Sequence, residues 1–174
     1  MRRREVLAGA LGLAVVGGGA AVTLGDWDPL DEPGEVVEPV DLEGIDAPGS
    51  DAATITVPER GRVTYVEVFA TWCTTCKRMM PDLAAAHERV DDVQFVSITY
   101  EPLGDTVTEE DIAEWWADNG GEWQVAHDQG LVLSAELDAS SLPHSAVLDA
   151  ENRLVWTDYG HKTADELVEQ IEGA

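Results

Sequence analysis

Basic residues are scarce in this chain of 174: 10 lysines and arginines stand against 35 aspartates and glutamates, a formal net charge of −25. Only two of them are lysines, Lys77 and Lys162. A surface of this sign repels a phosphate backbone and lacks the basic face of a nucleic-acid binder, so no nucleic acid is expected among the partners. The acids spread over nearly the whole chain beyond the first 25 positions and form no single block. Such a spread fits a halophile-type surface better than a docking face for a basic partner, because molar salt cuts the screening length to about 3 Å and removes most of the self-repulsion.

Cysteine is scarcer still, with Cys73 and Cys76 the only two. A zinc site takes about four ligands; there is no second cysteine pair, and His87, His127, His144 and His161 lack paired finger spacing. No metal is therefore expected. No nicotinamide or flavin fingerprint is present, so no such cofactor is implied. With 44% hydrophobic and 26% charged residues, the chain is globular and of a length for one domain plus a tail.

Three arginines, Arg2 to Arg4, precede an uncharged stretch from Val6 to Leu24 rich in Ala, Gly, Leu and Val. A positive start before an apolar core is the layout of an export signal, and Arg3-Arg4-Glu5-Val6-Leu7 resembles a twin-arginine signal. The stretch is also about long enough, at roughly 17–25 residues, to stay as a membrane anchor. Either outcome puts the rest of the chain outside the cytoplasm, on the outer face of the membrane or beyond it. No cysteine follows the apolar core, which argues against lipid attachment. Residues 1–25 are thus expected to be a signal or anchor, residues 26–50, with Pro29, Pro33, Pro39 and Pro48, an acidic linker, and residues 51–174 the domain, which begins somewhere between Glu35 and Ala53.

Within the domain the periodicities alternate. Strands are expected at Thr54–Val57, Arg62–Phe69, Val93–Thr99, Trp123–Ala126, Ser145–Leu148 and Leu154–Trp156. Helices are expected at Thr74–Val90, after Thr108 until Gly120-Gly121, at Gln129–Leu137, and after the capping box Thr163–Glu166, with Leu167, Val168 and Ile171 inward. A strand, helix, strand opening requires a parallel crossover, and the last two strands read as a hairpin, giving an α/β sheet covered by helices.

The run Trp72-Cys73-Thr74-Thr75-Cys76-Lys77 falls where a strand ends and a helix begins. At this spacing both sulfurs belong to the first helical turn and can bond to each other. Cys73 meets the unsatisfied N–H groups and the positive end of the helix dipole, which favour a thiolate. A thiolate at an exposed turn attacks disulfides, and a second, covered cysteine resolves the mixed disulfide. A purely structural disulfide closing so small a loop would restrict the unfolded chain little.

The string Val66-Glu67-Val68-Phe69-Ala70-Thr71-Trp72-Cys73-x-x-Cys76-Lys77, with Pro81 five residues beyond Cys76, resembles the thioredoxin superfamily. The segment from about Tyr100 to Leu137, with Ser141-Leu142-Pro143 ahead of Val147-Leu148-Asp149, resembles its exported TlpA/ResA-like branch. The resemblance implies a three-layer α/β/α sandwich with a central mixed sheet and a strand–helix insertion. It implies a cis bond before Pro143 beside the sulfurs, backbone pairing of Leu142 with a substrate peptide, and a flat contact surface from Trp72. His144 is expected either to reach toward the sulfurs or to be an exposed loop histidine. Glu67 stands where thioredoxins carry a buried acid that relays the second cysteine's proton; a salt-bridged or edge-exposed glutamate is the alternative. Met79 occupies a position where ResA-like proteins often place an acid.

The function so implied is an exported protein-disulfide oxidoreductase, working as a reductase in cytochrome c maturation or disulfide repair, with protein disulfides as substrates and a membrane dithiol as electron donor. The alternative is a copper-handling chaperone of the Sco type, with His144 as the distant histidine.

Overall fold

A computed structural model describes residues 34–174. The signal or anchor expected over residues 1–25, and the first part of the expected linker, lie outside the described residues. In chain order the elements are β1 (Val40–Gly44), β2 (Thr54–Val57), β3 (Thr64–Phe69), α1 (Thr74–His87), β4 (Gln94–Thr99), α2 (Glu109–Asp118), β5 (Gln124–His127), α3 (Val132–Glu136), β6 (His144–Leu148), β7 (Leu154–Tyr159) and α4 (Ala164–Glu172).

Seven strands form one mixed sheet in the order β2-β1-β5-β4-β3-β6-β7. β3 and β5 run parallel to β4, while β1, β6 and β7 join antiparallel. Because side chains alternate across a strand, β3 sends Tyr65 and Phe69 into one core and Val66 and Val68 into the other. The first core also takes Met79, Met80 and Leu83 of α1, Ile112 and Trp116 of α2, and Leu167 of α4. The second takes Val96, Ile98, Ala146 and Leu133, the last from α3. Helices on both faces of a sheet are the three-layer α/β/α arrangement, and each fully buried Leu or Met is worth roughly 1.5–3 kcal/mol.

The segment read as linker is corrected by the sheet itself. From residue 34 onward the chain belongs to the folded unit: Val36 bridges Arg153, Val37 donates to the Asn152 carbonyl at 2.9 Å, and β1 lies between β2 and β5. Val37, Leu42 and Ile45 are buried. Gly44 is required there, since a Cβ would come within 2.2 Å of the Asp51 carbonyl oxygen. Smaller differences appear in element bounds, among them α3, which opens at Val132 rather than Gln129, and β3, which opens at Thr64 rather than Arg62. Helix α1 ends at His87, three residues short of Val90, and β7 runs on to Tyr159.

Both capping boxes are present, Thr108 with Asp111 and Thr163 with Glu166, and they open α2 and α4 at the expected residues.

Candidate active site

β3 is buried along its whole length and delivers the chain to a tight turn, in which the Cys73 N–H donates to the Ala70 carbonyl at 3.0 Å. Cys73 is the N-cap of α1 and Cys76 lies in its first turn. The two are joined in a disulfide with an S–S distance of 2.06 Å, and the Cys73 Sγ accepts the Cys76 N–H at 3.1 Å. Cys73 is 7% exposed and Cys76 is fully covered, while Trp72 beside them is 70% exposed. The first turn of α1 holds no acid, and Lys77 and Arg78 follow Cys76 directly. The free amides at the start of α1 favour negative charge on the outer sulfur of the reduced pair, in a turn that holds no acid and is followed in sequence by two cations.

The Leu142–Pro143 peptide bond is cis. It stands just ahead of β6, whose antiparallel register sets His144 opposite Val68 and so brings Pro143 to the end of β3 that leads to the cysteines. Leu142 is half-buried and packs against the cluster that contains both sulfurs. The Pro143 carbonyl accepts the Gly160 N–H at 2.8 Å.

Both expectations for His144 are corrected. It is buried and is the first residue of β6, not part of an exposed loop. By the alternation of β6 it shares a face with Ala146 and Leu148, the face away from the cysteines. Its Nε2 lies 2.7 Å from the Thr157 hydroxyl, a backbone hydrogen bond to Leu137 holds the ring, and burial pushes its pKa below the usual value.

Glu67 is fully buried on a central strand between β4 and β6, so it is neither edge-exposed nor salt-bridged. Its side of β3 carries Tyr65 and Phe69 and faces the cluster that holds both cysteines. Its register partners are Ser97 on β4 and Ser145 on β6. Ser97 Oγ donates to Glu67 Oε2 at 2.7 Å, while Oε1 is buried with no hydrogen-bond partner. Desolvation pushes the carboxyl up from 4.5 to about 7, against the lowering effect of the Ser97 hydrogen bond. Tyr65 hydrogen-bonds Ser145 at 3.0 Å, and burial first, then the neighbouring Glu67, push its pKa well above 10.0.

A second buried carboxyl escaped the reading of the sequence. Glu101, just past β4, accepts the Thr71 N–H at 2.7 Å, the Thr71 hydroxyl at 2.8 Å and the Thr99 hydroxyl at 3.3 Å. It ties the lead-in to the cysteine turn to the end of a neighbouring strand. His127 on β5 lies with its Nε2 2.9 Å from the Glu101 carbonyl. Nothing in the local string Tyr100-Glu101-Pro102 marks this role, because the partner is thirty positions away in sequence. Among the described residues no group of three or more His, Cys, Asp or Glu side chains gathers as a metal site.

The site can be compared with known proteins. A family model described as Redoxin matches residues 40–173. The chain is 20% identical over 118 residues to sporulation thiol-disulfide oxidoreductase A of Bacillus subtilis (strain 168), covering 68% of this chain and 72% of that protein. Its fold is similar to the pneumococcal exposed lipoprotein thioredoxin (Etrx1) of Streptococcus pneumoniae strain TIGR4, with a TM-score of 0.66 at 23% identity, over 79% of this chain and 100% of that one. It is similar also to a thiol-disulfide isomerase of Corynebacterium glutamicum, with a TM-score of 0.63 at 20% identity, over 80% and 95% of the two chains.

Proposed function

Because this chain belongs to the Redoxin family, we propose that it is an exported protein-disulfide oxidoreductase acting as a reductase through Cys73 and Cys76. The observation that carries the reading is the sulfur pair at the opening of α1, one sulfur at the rim and the other covered. In the reduced protein the Cys73 thiolate attacks a substrate disulfide, forming a mixed disulfide and expelling one substrate sulfur as a thiolate, which takes its proton from solvent. Cys76 then gives its proton to Glu67 and attacks Cys73 Sγ, which forms the intramolecular disulfide and releases the second substrate thiol. Two electrons pass to the substrate, and a membrane dithiol carrier returns them to the enzyme.

Glu67 suits this exchange because a carboxyl with its pKa near 7 takes and gives a proton close to neutrality. The exposed Trp72 indole, the Leu142 backbone and the cis Pro143 line the approach for an extended peptide. No cofactor is needed beyond the cysteine pair. Residues 1–25 serve as the export signal or anchor, and the acidic surface suits high salt. Cytochrome c maturation or general disulfide repair is the corresponding role. That a protein of similar fold is an exposed lipoprotein supports work outside the cytoplasm. A Sco-type copper role finds less support, since the His144 ring lies on the face away from the cysteines.

The test is reduction of a disulfide-bonded protein by the purified chain, recharged with dithiothreitol in high salt. Cys73→Ser is expected to abolish turnover. Undiminished turnover in that variant overturns the reading.

A further inference from the structure

Around the Glu67 carboxyl a polar chain of three side chains crosses the apolar core. Trp123 Nε1 lies 3.0 Å from Ser97 Oγ, and Ser97 Oγ lies 2.7 Å from Glu67 Oε2. All three residues are buried, Trp123 at 2% exposure and the other two at 0%. The direction of the chain follows from chemistry alone. An indole N–H can only donate, so Ser97 must accept from Trp123, and the single hydroxyl proton of Ser97 is left to point at Glu67. The hydroxyl oxygen keeps a second lone pair, but Glu67 Oε2 is the only acceptor that the Ser97 proton meets among the described residues, so the arrangement that leaves no donor unpaired keeps Oε2 an acceptor in the neutral carboxyl as in the charged one.

We propose that Ser97 and Trp123 are positioning residues for Glu67, which hold Oε2 as a permanent acceptor and so confine the mobile proton to Oε1. The inference rests on the reading of Glu67 as the proton carrier for Cys76. Oε1 is the oxygen without a hydrogen-bond partner, and it is buried, so a proton there is neither shared with another side chain nor offered to bulk water. In the neutral carboxyl the arrangement also fixes the rotation, since turning it over would set the carboxyl proton, in place of the acceptor oxygen, against the Ser97 proton. A buried hydroxyl left without that acceptor is costly.

The other side chains on this side of the sheet do not duplicate the role. Tyr65, on the same strand, is engaged with Ser145 from β6. From α1 come the two cysteines, and His87, whose ring packs on Trp123 with centroids 5.7 Å apart. From α4 come Leu167, Val168 and Ile171, which are apolar. Ser97 is thus the one donor to the carboxyl, and Trp123 sets where its proton points.

The experiment follows the Glu67 carboxyl directly, by carbon-13 NMR titration of the reduced full chain in high salt. Ser97→Ala is expected to move its midpoint upward by about one pH unit, because the donor that favours the charged form is gone. Ser97→Thr restores a hydroxyl and is expected to return the midpoint toward the parent value. Trp123→Phe keeps the ring but frees the serine proton, and is expected to shift the midpoint in the same direction by less. Unmoved midpoints in Ser97→Ala and Trp123→Phe overturn the positioning role. Thiol–disulfide exchange by Glu67→Gln separates this from the reading beneath it: an unchanged rate there overturns Glu67 as proton carrier and the inference with it. A slowed rate with an unmoved Ser97→Ala midpoint overturns the positioning role alone.

Discussion

Glu67 and Glu101 are buried almost equally, at 0% and 3% exposure, in neighbouring strands or just beyond them. Glu67 receives one hydrogen bond and has an oxygen with none, whereas three donors converge on Glu101. The difference lies in what the backbone brings near. Midway along β3 every neighbouring amide is spent in the sheet ladder, so only side chains can serve a carboxyl. Past the end of β4 the turn toward the cysteines offers a free N–H and a hydroxyl from Thr71. One niche is poor in donors and raises proton affinity; the other is rich in them and fastens a loop. The same residue type therefore has two jobs, and the same substitution should act in opposite directions.

The largest expected effect is on rate. Glu67→Gln removes the proton acceptor for Cys76 and is expected to slow turnover by about a hundredfold at pH 7, with loss of any inflection near that pH. Stopped-flow measurement of mixed-disulfide resolution checks it.

Next comes stability, where the comparison is sharpest. The folded carboxyl holds its proton up to about pH 7 while the unfolded one releases it near 4.5. Stability is therefore unaffected below about pH 4.5, falls as pH rises between the two values, and carries the full penalty above about pH 7, worth about 3 kcal/mol. Urea denaturation at pH 8 should show Glu67→Gln more stable than its parent, with the gain vanishing at pH 4. Glu101→Gln should instead lose about 1–3 kcal/mol, because the amide cannot accept all the donors aimed at the carboxyl. If both substitutions shift stability the same way, the contrast between the two niches fails.

A smaller effect isolates one bond of the clamp. Thr71→Val removes the hydroxyl but keeps the N–H, and should cost about 1 kcal/mol by the same measurement. It should also loosen the cysteine turn, read as faster amide hydrogen exchange from Trp72 to Thr74 than in the parent.

The parts of this molecule that local chemistry dictates were legible in the sequence. The apolar strand ahead of the cysteines, the cysteine spacing, and the two threonine caps each carry their signal within a few residues. Strand β1 was hidden because Pro39 and Pro48 bracket it and its stretch is acidic, so the alternation of Val40, Leu42 and Gly44 was outweighed by the composition around it. His144 was misplaced because starting β6 one residue late hides the residue's facing, and facing reverses with every step along a strand. Ser97, Trp123 and Glu101 were invisible for a different reason. Each matters through a partner about thirty positions away, and a lone serine within an apolar strand reads only as a polar interruption until the sheet register is known.

The place of β1 has a practical consequence. It is stitched to β2 through four register pairs from Val40 to Glu43, and on its other side to β5 at Gly44 and Glu43. A shortened protein that started at Asp51 would leave β2 with nothing to hold it and strip β5 of its cover. The bared row of amides along β5 would then be free to recruit strands from other molecules, so the acidic approach segment also covers an edge that β5 would otherwise present.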